Sequence, residues 1–178
     1  MQINQSHLLI DSCCMLNLCS SGQLLSILPL IPAKAAIVQE VKQELQKIEN
    51  AIDFETAITK GLLLTVDFES EAEEEAFVNY AAYLDDGEAA TGAIAINRGW
   101  AMATDEKKAT KFFTQESSSL QIISTLEIIK HWSEVANIEQ LTLNYVLNQI
   151  RVKGHYIPPR NHPLRSWWET VIEKQENQ

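Results

Sequence analysis

Four acidic side chains could carry chemistry in this sequence: Asp11, Glu40, Glu88 and Asp105. Asp11 directly follows the apolar residues 7–10, and Asp105 directly follows residues 100–104, so each ends a predicted buried strand. In an open parallel sheet, ligands bind outside the carboxyl ends of the strands. Carboxylate oxygens select Mg²⁺ or Mn²⁺, whereas zinc favours the His and Cys side chains that these motifs lack. The four acids therefore predict a divalent-metal site. Ions bound at such sites can promote the hydrolysis of phosphodiester bonds.

Each acid also has an explanation that involves no chemistry. An Asp between a strand and a helix is a good N-cap, which would account for Asp11 or Asp105 taken alone. Glu88 would complement the dipole in the first turn of a helix, and Glu40 lies among polar neighbours that could form a solvated helix face. The prediction of a metal site therefore rests on the combination of the four acids.

Apolar patterning predicts the elements that would position these acids. Buried strands are predicted at residues 7–10, 61–66, 100–104 and 120–123. Helices are predicted within the apolar segment 13–31, which also contains turns, and at residues 35–48, 71–83, 85–98, 106–113, 125–132, 138–152 and from 164 onward, with stops at Gly99 and Gly154. Residues 49–60 are the best candidate for a loop or insertion. Strands that alternate with helices predict an α/β fold, with a mostly parallel central sheet flanked by helices.

Length and composition predict one globular domain over residues 1–178, with residues 137–178 as a C-terminal helical extension. The net charge of −10 argues against the electrostatic footprint of a nonspecific DNA binder. No leader pattern and no apolar run of about 18 residues is present, so we expect a cytoplasmic protein without a membrane span. Cys13, Cys14 and Cys19 lack paired zinc spacing and are predicted to be reduced, small hydrophobic side chains.

The four acidic motifs together resemble those of the PIN-domain nucleases, a family that includes the toxin ribonucleases of bacterial toxin–antitoxin pairs. The most specific part of the match is DDGEAATGAIAI, which contains Glu88, followed by ATDEKKATKF, which contains Asp105. The resemblance extends from about residue 7 to residue 123. It implies a PIN-like three-layer fold and a metal site formed by Asp11, Glu40, Glu88 and Asp105.

The same resemblance suggests supporting residues near the site. Thr104 corresponds to the hydroxyl residue that commonly precedes the last acid of the family, and Ser12 or Asn17 corresponds to the polar residue after the first acid. Asp85 and Asp86 add carboxylates to the third motif, which is a departure from the family pattern. An RNA substrate, an antitoxin protein and a homodimer are the partners that the resemblance implies.

Two other functions remain open from the sequence. One is a PIN-like RNA-binding or scaffold module without catalysis, although all four acids are retained. The other is a receiver or phosphatase-like α/β domain, in which Asp67 would be the phosphoacceptor at the end of a central strand. The second alternative leaves the DDGE and TDE motifs unexplained.

Basic and aromatic residues are concentrated away from the acids. Residues 151–168 contain four Arg or Lys side chains and no acid, and they include Tyr156, Trp167 and Trp168. This segment either contacts RNA or an acidic partner, or docks its tryptophans on the core while its arginines pair with the acidic residues 67–75. Three further basic side chains either flank the substrate or form a solvated helix face: Lys107, Lys108 and Lys111.

Overall fold

A five-stranded parallel sheet forms the centre of the protein in the computed structural model, which describes residues 1–46 and 52–173. The strands are β1 (His7–Ile10), β2 (Lys34–Val38), β3 (Leu64–Val66), β4 (Ala101–Ala103) and β5 (Ile122–Ile123). Their spatial order is β3-β2-β1-β4-β5, and every neighbouring pair is parallel. Parallel neighbours need crossover connections, and helices supply them, so the predicted α/β three-layer fold is confirmed.

The described helices are α1 (Ser12–Ser20), α2 (Leu24–Ile27), α3 (Gln39–Leu45), α4 (Ile52–Thr59), α5 (Glu71–Ala81), α6 (Asp86–Arg98), α7 (Lys107–Glu116), α8 (Thr125–Val135), α9 (Gln140–Lys153) and α10 (Arg165–Glu173). A short 3₁₀ turn, Leu28–Leu30, follows α2. In the described part of the chain, no single helix is long and apolar enough to cross a bilayer. In that part of the chain, helix α1 and residues 24–30 are together long and apolar enough, but the two segments are bent by 106° relative to each other.

The sheet order creates one switch point, between β1 and β4. The chain moves outward from β1 through β2 to β3, and then returns to the other side of β1 to form β4 and β5. Connections leave β1 and β4 in opposite directions, which opens the crevice where open α/β sheets bind ligands. Ile10 is in register with Ala103, and the Asp11 N–H donates to the Ala103 carbonyl at 3.0 Å. The first residues after these two strands are therefore held side by side.

One strand was missed by the sequence patterning. Residues 35–48 were predicted as one helix, but Lys34–Val38 is strand β2, and α3 begins at Gln39. The strand is buried at Ala35–Val38, and a continuous apolar run fits a buried parallel strand as well as a buried helix. The last residues of the predicted helix, 47 and 48, lie outside the described residues. Within the predicted loop at 49–60, the described residues Ile52–Thr59 form helix α4, so that prediction was wrong there.

Helix α6 has the ends that its sequence predicts. The Glu88 carboxylate accepts from the Asp85 backbone N–H at 3.4 Å, as in a capping box, and Gly99 ends the helix in the left-handed region at φ 64°. The small residues in the middle of α6 allow close packing. A Cβ atom at Gly92 would lie 2.0 Å from the Phe113 ring of α7, so glycine is the residue that lets α6 and α7 meet there.

The C-terminal helices pack back onto the start of the fold. Helix α9 contacts both α1 and α10, and Trp168 of α10 is 5% exposed. Gly154, which follows α9, lies so close to α1 that a Cβ atom there would be 2.6 Å from the Asn17 Oδ1. The predicted helices at 125–132, 138–152 and from 164 are confirmed within a few residues at their ends.

Candidate metal centre

Asp11 lies at the carboxyl end of β1, where it caps helix α1. Its carboxylate accepts from the Cys14 N–H at 2.9 Å, and its relative exposure is 1%. Burial raises the pKa of Asp11 to about 6, because the charged form loses its hydration. Hydrogen bonding from Thr104 and Cys14 opposes this shift, while the negative charge of Asp105 adds to it. Asp11 is therefore an N-cap and also a buried carboxylate. The described residues that shift its pKa include no lysine or arginine.

Asp105 follows β4 and is held by hydrogen bonds from two helices. One carboxylate oxygen accepts from the Thr125 N–H at 3.0 Å, and the other accepts from Asn17 Nδ2 at 3.0 Å and from the Thr125 hydroxyl at 2.5 Å. Thr125 is the first residue of α8, where helix dipoles favour a negative charge. Asn17, from α1, is 3% exposed. These contacts fix the Asp105 carboxylate beside Asp11.

Side chains from α1, α3, α6 and the segment after β4 enclose a cavity of about 430 Å³, here called the acidic cavity. It is lined by Asp11, Ser12, Cys13, Glu44, Asp85, Glu88, Glu106 and Lys108. Burial raises the pKa of Glu88, and the charges of Asp85 and Glu106 raise it further, while Lys108 lowers it. Five carboxylates thus face a cavity that contains one lysine.

The acid that α3 contributes to this cavity is Glu44, not the predicted Glu40. Glu44 accepts a hydrogen bond from the Ser12 hydroxyl, and a Cβ atom at Gly87 would lie 2.9 Å from the Glu44 Oε1. The glycine before Glu88 therefore leaves room for the Glu44 carboxylate. Glu40 lies one helical turn earlier and is not among the residues that line the acidic cavity.

Glu40 belongs to a neighbouring group of acids. It is half-buried, its Oε2 atom has no hydrogen-bond partner, and burial raises its pKa. The charges of Asp67, Asp86 and Glu44 raise the pKa of Glu40 further. Asp86, predicted as a supporting residue, is exposed and is likewise absent from the cavity lining. Glu40 and Asp86 therefore lie near the acidic cavity but do not line it.

The predicted supporting residues Ser12 and Thr104 both lie at the site. Ser12 donates to Glu44, as described above. Thr104 is 3% exposed, and its hydroxyl accepts from the Glu106 N–H at 3.1 Å, which shapes the turn that carries Asp105. Asn17, the other polar residue considered after the first acid, positions Asp105 rather than Asp11.

Cys13 has a location that the sequence did not predict. Its Sγ donates to both oxygens of Asp11, at 3.1 and 3.2 Å, and accepts from the Asp105 N–H at 3.4 Å. Asp11, Cys13 and Cys14 are the described residues whose possible ligand atoms lie within 4.8 Å of one another. Burial raises the pKa of the Cys14 thiol well above its ordinary value, which keeps it a protonated, hydrophobic side chain. All three cysteines are free, as predicted.

The donor set around the acidic cavity fits a hard divalent cation. Carboxylates and hydroxyls dominate the lining, and such oxygen donors suit Mg²⁺ and Mn²⁺. Asp11 is buried, with its pKa raised, and a nearby cation would oppose that shift by stabilising the charged carboxylate. The residues that could hold the ion are Asp11, Glu44, Glu88 and Asp105, with Glu106 beside them.

A second, larger cavity of about 730 Å³ begins at Thr104 and Asp105; it is called the lysine groove below. Helix α7 contributes Lys107 and Lys111 to its wall, and residues 156–163 contribute Tyr156, Pro159 and His162. Of the three lysines after the fourth acid, Lys108 alone lines the acidic cavity. All three lysines are exposed, and each of them lines one of the two cavities.

The basic-aromatic segment has both structural and surface parts. Trp168 is buried and Trp167 packs against the core, so the docking of the tryptophans is confirmed. The alternative in which its arginines pair with residues 67–75 was wrong for the described residues. Arg165 pairs with Glu169 at 2.6 Å, and two acids of that region, Glu69 and Glu73, pair with Arg98.

The sheet, the switch point and the acidic cavity define a class: α/β proteins with a carboxylate site suited to divalent metal ions. A family model described as a PIN domain (DUF3368) matches residues 7–163, so the chain belongs to the PIN-domain family. PIN domains are generally metal-dependent nucleases and typically use ions such as Mg²⁺ or Mn²⁺. The comparisons found no match among curated proteins and none among solved structures.

The fold also removes the receiver-like alternative. That interpretation needs a phosphoacceptor at the end of a central strand, and Asp67 was the only candidate. Asp67 follows β3, which is the edge strand of the sheet, and its side chain is exposed. The DDGE and TDE motifs, which that alternative left unexplained, carry the residues of the acidic cavity and its border with the lysine groove.

Proposed function

We propose that this protein is a divalent-metal-dependent ribonuclease whose ion is held by Asp11, Glu44, Glu88 and Asp105. The observation that carries the proposal is the meeting of Asp11 and Asp105 at the β1–β4 switch point, beside the cavity that Glu44 and Glu88 line. Membership of a family of metal-dependent nucleases supports the reaction class. Glu44 takes the place that the sequence motif assigned to Glu40.

The side chains of this chain have separable tasks in the proposed reaction. Ser12 orients Glu44, while Asn17 and Thr125 orient Asp105, so the carboxylates are positioned before substrate arrives. When bound, a divalent cation supplies Lewis-acid stabilisation of the phosphate and lowers the pKa of water. Lys108, at the edge of the acidic cavity, offers a positive charge to the same phosphate.

The choice between Glu44 and Glu40 gives the sharpest test, because the two residues stand one turn apart on α3. We expect Glu44→Gln to lower the rate of RNA cleavage in Mg²⁺ or Mn²⁺ by at least about 100-fold, since it removes a ligand charge. Glu40→Gln is the matched control and should change the rate less than about threefold. The measurement is single-turnover cleavage of a labelled single-stranded RNA. Equal losses in both variants would contradict the assignment of Glu44.

An inactive RNA-binding or scaffold module is the alternative from the sequence. Binding of RNA without cleavage in Mg²⁺ and in Mn²⁺, by a protein that also shows no metal-dependent rise in Tm, would favour that alternative. The five carboxylates that line the acidic cavity support catalysis instead. Single-stranded DNA of the same sequence should be tested in parallel, because slower cleavage of DNA is the outcome that assigns RNA as the substrate.

The toxin role is a further part of the proposal and rests on the resemblance to the toxin ribonucleases. We expect induced expression of the wild-type protein to arrest growth of a bacterial host, and Asp11→Asn to relieve that arrest. Co-expression of the protein encoded next to this gene should also relieve it if that neighbour is an antitoxin. Normal growth under strong expression of an active enzyme would remove the toxin role and leave the ribonuclease proposal intact.

A homodimer is likewise proposed from the family resemblance. Helix α9 carries exposed apolar side chains at Leu141, Tyr145 and Val152, which could supply the contact. Light scattering coupled to gel filtration should give twice the chain mass of 20.1 kDa. Tyr145→Glu is expected to yield the monomer, whereas a monomeric wild type would contradict the proposal.

A further inference from the structure

Two cysteines lie beside the first acid of the metal centre. Cys13 and Cys14 are the second and third residues of helix α1, which Asp11 caps. The two sulfur atoms and an Asp11 carboxylate oxygen all lie within 4.8 Å of one another. In the part of the chain that the structure describes, no other three His, Cys, Asp or Glu side chains bring their ligand atoms this close. The three side chains therefore form a compact set of one oxygen and two sulfur ligands.

The separations within this set suit one tetrahedral zinc ion. Zinc lies about 2.3 Å from cysteine sulfur and about 2.0–2.2 Å from carboxylate oxygen, which places its ligand atoms about 3.6–3.8 Å apart. The Cys13 Sγ already lies 3.1 and 3.2 Å from the two oxygens of Asp11. Atoms within 4.8 Å of one another therefore need to approach by no more than about 1 Å to share the ion.

The local charge also favours a cation bound by thiolates. The N-terminal end of a helix stabilises thiolates, and both cysteines lie in the first turn of α1. Asp11 is buried, and the residues that shift its pKa include no lysine or arginine, so a bound cation supplies positive charge that the set lacks. Each metal–sulfur bond replaces an S–H bond, and the displaced proton passes to solvent.

The acidic cavity gives an ion a route to the set. Asp11 and Cys13 both line this cavity, and Cys14 is fully buried next to them. Four further carboxylates around the cavity raise the local concentration of cations. An entering ion therefore meets Asp11 and Cys13 first, and the fourth position of its tetrahedron faces the cavity and its water.

We propose that Asp11, Cys13 and Cys14 form a second metal site, selective for thiophilic divalent cations such as Zn²⁺, which shares Asp11 with the Mg²⁺ or Mn²⁺ centre. Thiolates select Zn²⁺ over Mg²⁺, whereas the carboxylates of the acidic cavity suit the harder ions. Because both sites use Asp11, occupation of one opposes occupation of the other. Zn²⁺ is therefore an inhibitor of RNA cleavage, and this regulatory part rests on the proposed ribonuclease function.

The site is tested first without RNA, with Cd²⁺ as the probe, because bonds between Cd²⁺ and thiolates absorb in the ultraviolet. Titration of the full chain in a phosphine reductant should give a charge-transfer band that saturates at one ion per chain, and Zn²⁺ should displace it. Cys13→Ser should halve the band and weaken Cd²⁺ binding at least about tenfold. Asp11→Asn should weaken binding to a similar extent but keep the full band at saturation, since both thiolates remain.

Two further variants separate the site from other cysteines and from folding. Cys19→Ser is the matched control, because Cys19 lies on the same helix outside the set, and it should keep the full band with a Kd within about twofold. Cys14→Ala should lose half of the band, with circular dichroism to check its fold. Cys14 is fully buried, whereas Cys13 is half-buried, so Cys13→Ser decides the result by itself if Cys14→Ala does not fold.

Inhibition is then measured as the rate of RNA cleavage in Mg²⁺ with Zn²⁺, divided by the rate of the same variant in Mg²⁺ alone. Saturating Zn²⁺ should lower this ratio at least about tenfold in the wild type and in Cys19→Ser. Cys13→Ser should need at least about tenfold more Zn²⁺ for the same inhibition.

The outcomes distinguish the second site from the ribonuclease proposal. No band in the wild type, a full band in Cys13→Ser, or loss of the band in Cys19→Ser would each overturn the site, whether or not RNA is cleaved. Unchanged Cd²⁺ affinity in Asp11→Asn would overturn the sharing of Asp11. A band that depends on Cys13, in a protein that does not cleave RNA in Mg²⁺ or Mn²⁺, would instead remove the ribonuclease function and retain the thiophilic metal site.

Discussion

The acidic cavity and the lysine groove meet at the ends of β1 and β4, yet they differ in nearly every physical property. The smaller cavity, about 430 Å³, is lined by five carboxylates and one lysine, whereas the larger, about 730 Å³, is lined by two lysines, two carboxylates and several apolar side chains. The carboxylates of the first cavity attract cations, whereas the charges of Lys107 and Lys111 in the second are offset by Asp105 and Glu127. Two adjacent cavities at the same strand ends therefore differ in net charge, and only the acidic cavity has the charge of a cation site.

The largest expected effect is a loss of catalysis without a loss of RNA binding, which would show that the two cavities have separate tasks. Asp11→Asn removes a ligand charge but keeps an N-cap side chain, so we expect RNA cleavage to fall by at least about 100-fold. The Kd of this variant for single-stranded RNA in chelator should stay within about twofold of the wild-type value. The two cavities are not separate in function if Asp11→Asn weakens metal-free RNA binding as much as it weakens cleavage.

The packing of α6 on α7 joins the two cavities, because α6 carries Glu88 and α7 carries Lys107 and Lys111. Gly92→Ala places a methyl group into the Phe113 ring and is expected to lower the free energy of unfolding by roughly 3 kcal/mol. Urea denaturation measures this loss. In a protein that already carries Phe113→Leu, adding Gly92→Ala should lower the free energy of unfolding less than it does in the wild type. Equal losses in the two backgrounds would show that residues 92 and 113 do not compete for the same space.

In the absence of metal, the pH dependence of the free energy of unfolding should report the ionisation of buried Asp11. Its pKa is about 6 in the folded protein, above the value of about 3.9 in an unfolded chain, so the folded state retains the proton to higher pH. The free energy of unfolding in chelator should therefore fall as pH rises from about 4 to about 6, by roughly 2–3 kcal/mol from this residue. Asp11→Asn should lack that component, and identical pH profiles for the two proteins would refute it.

The smallest expected effect concerns the outer wall of the groove. Arg165 donates to the Pro158 carbonyl and pairs with Glu169, and both side chains of that pair are partly exposed. Arg165→Ala should therefore lower the free energy of unfolding by no more than about 1 kcal/mol, while a looser wall raises the KM for RNA a few-fold. Lys130→Ala, which breaks an exposed pair on α8, is the control with no effect on KM.

Sequence patterning predicted the parts of the site that depend on strand ends and helix caps. Asp11 and Asp105 follow buried strands, and Glu88 lies in a capping box, so their positions follow from local signals. Glu44 was missed for a specific reason. Without strand β2 the helix boundary was misplaced, and the family resemblance assigned the second motif to Glu40. The contacts of Glu44 with Ser12 and Gly87 depend on tertiary packing.

The lysine groove could not be predicted in the same way. Its walls come from α7, β5, the start of α8 and residues 156–163, and no local pattern links Lys111 to Tyr156. Only the packing of α9 on α1, which brings Gly154 against Asn17, fixes where that last segment returns. The sequence identified the segment as basic and aromatic, but the tertiary contacts decide which of its residues face the site.

The pairing of β1 with β4 also has a consequence for the timing of synthesis. Leu8 pairs with Ala101, about 90 residues later, and Tyr156 completes the border of the site later still. At about 5–20 residues per second, a ribosome needs several seconds or more between β1 and β4, and long-range parallel pairing is itself slow. During that interval Asp11 and Asp105 cannot meet, so an emerging chain cannot assemble the proposed metal site until β4 and Asp105 have been made.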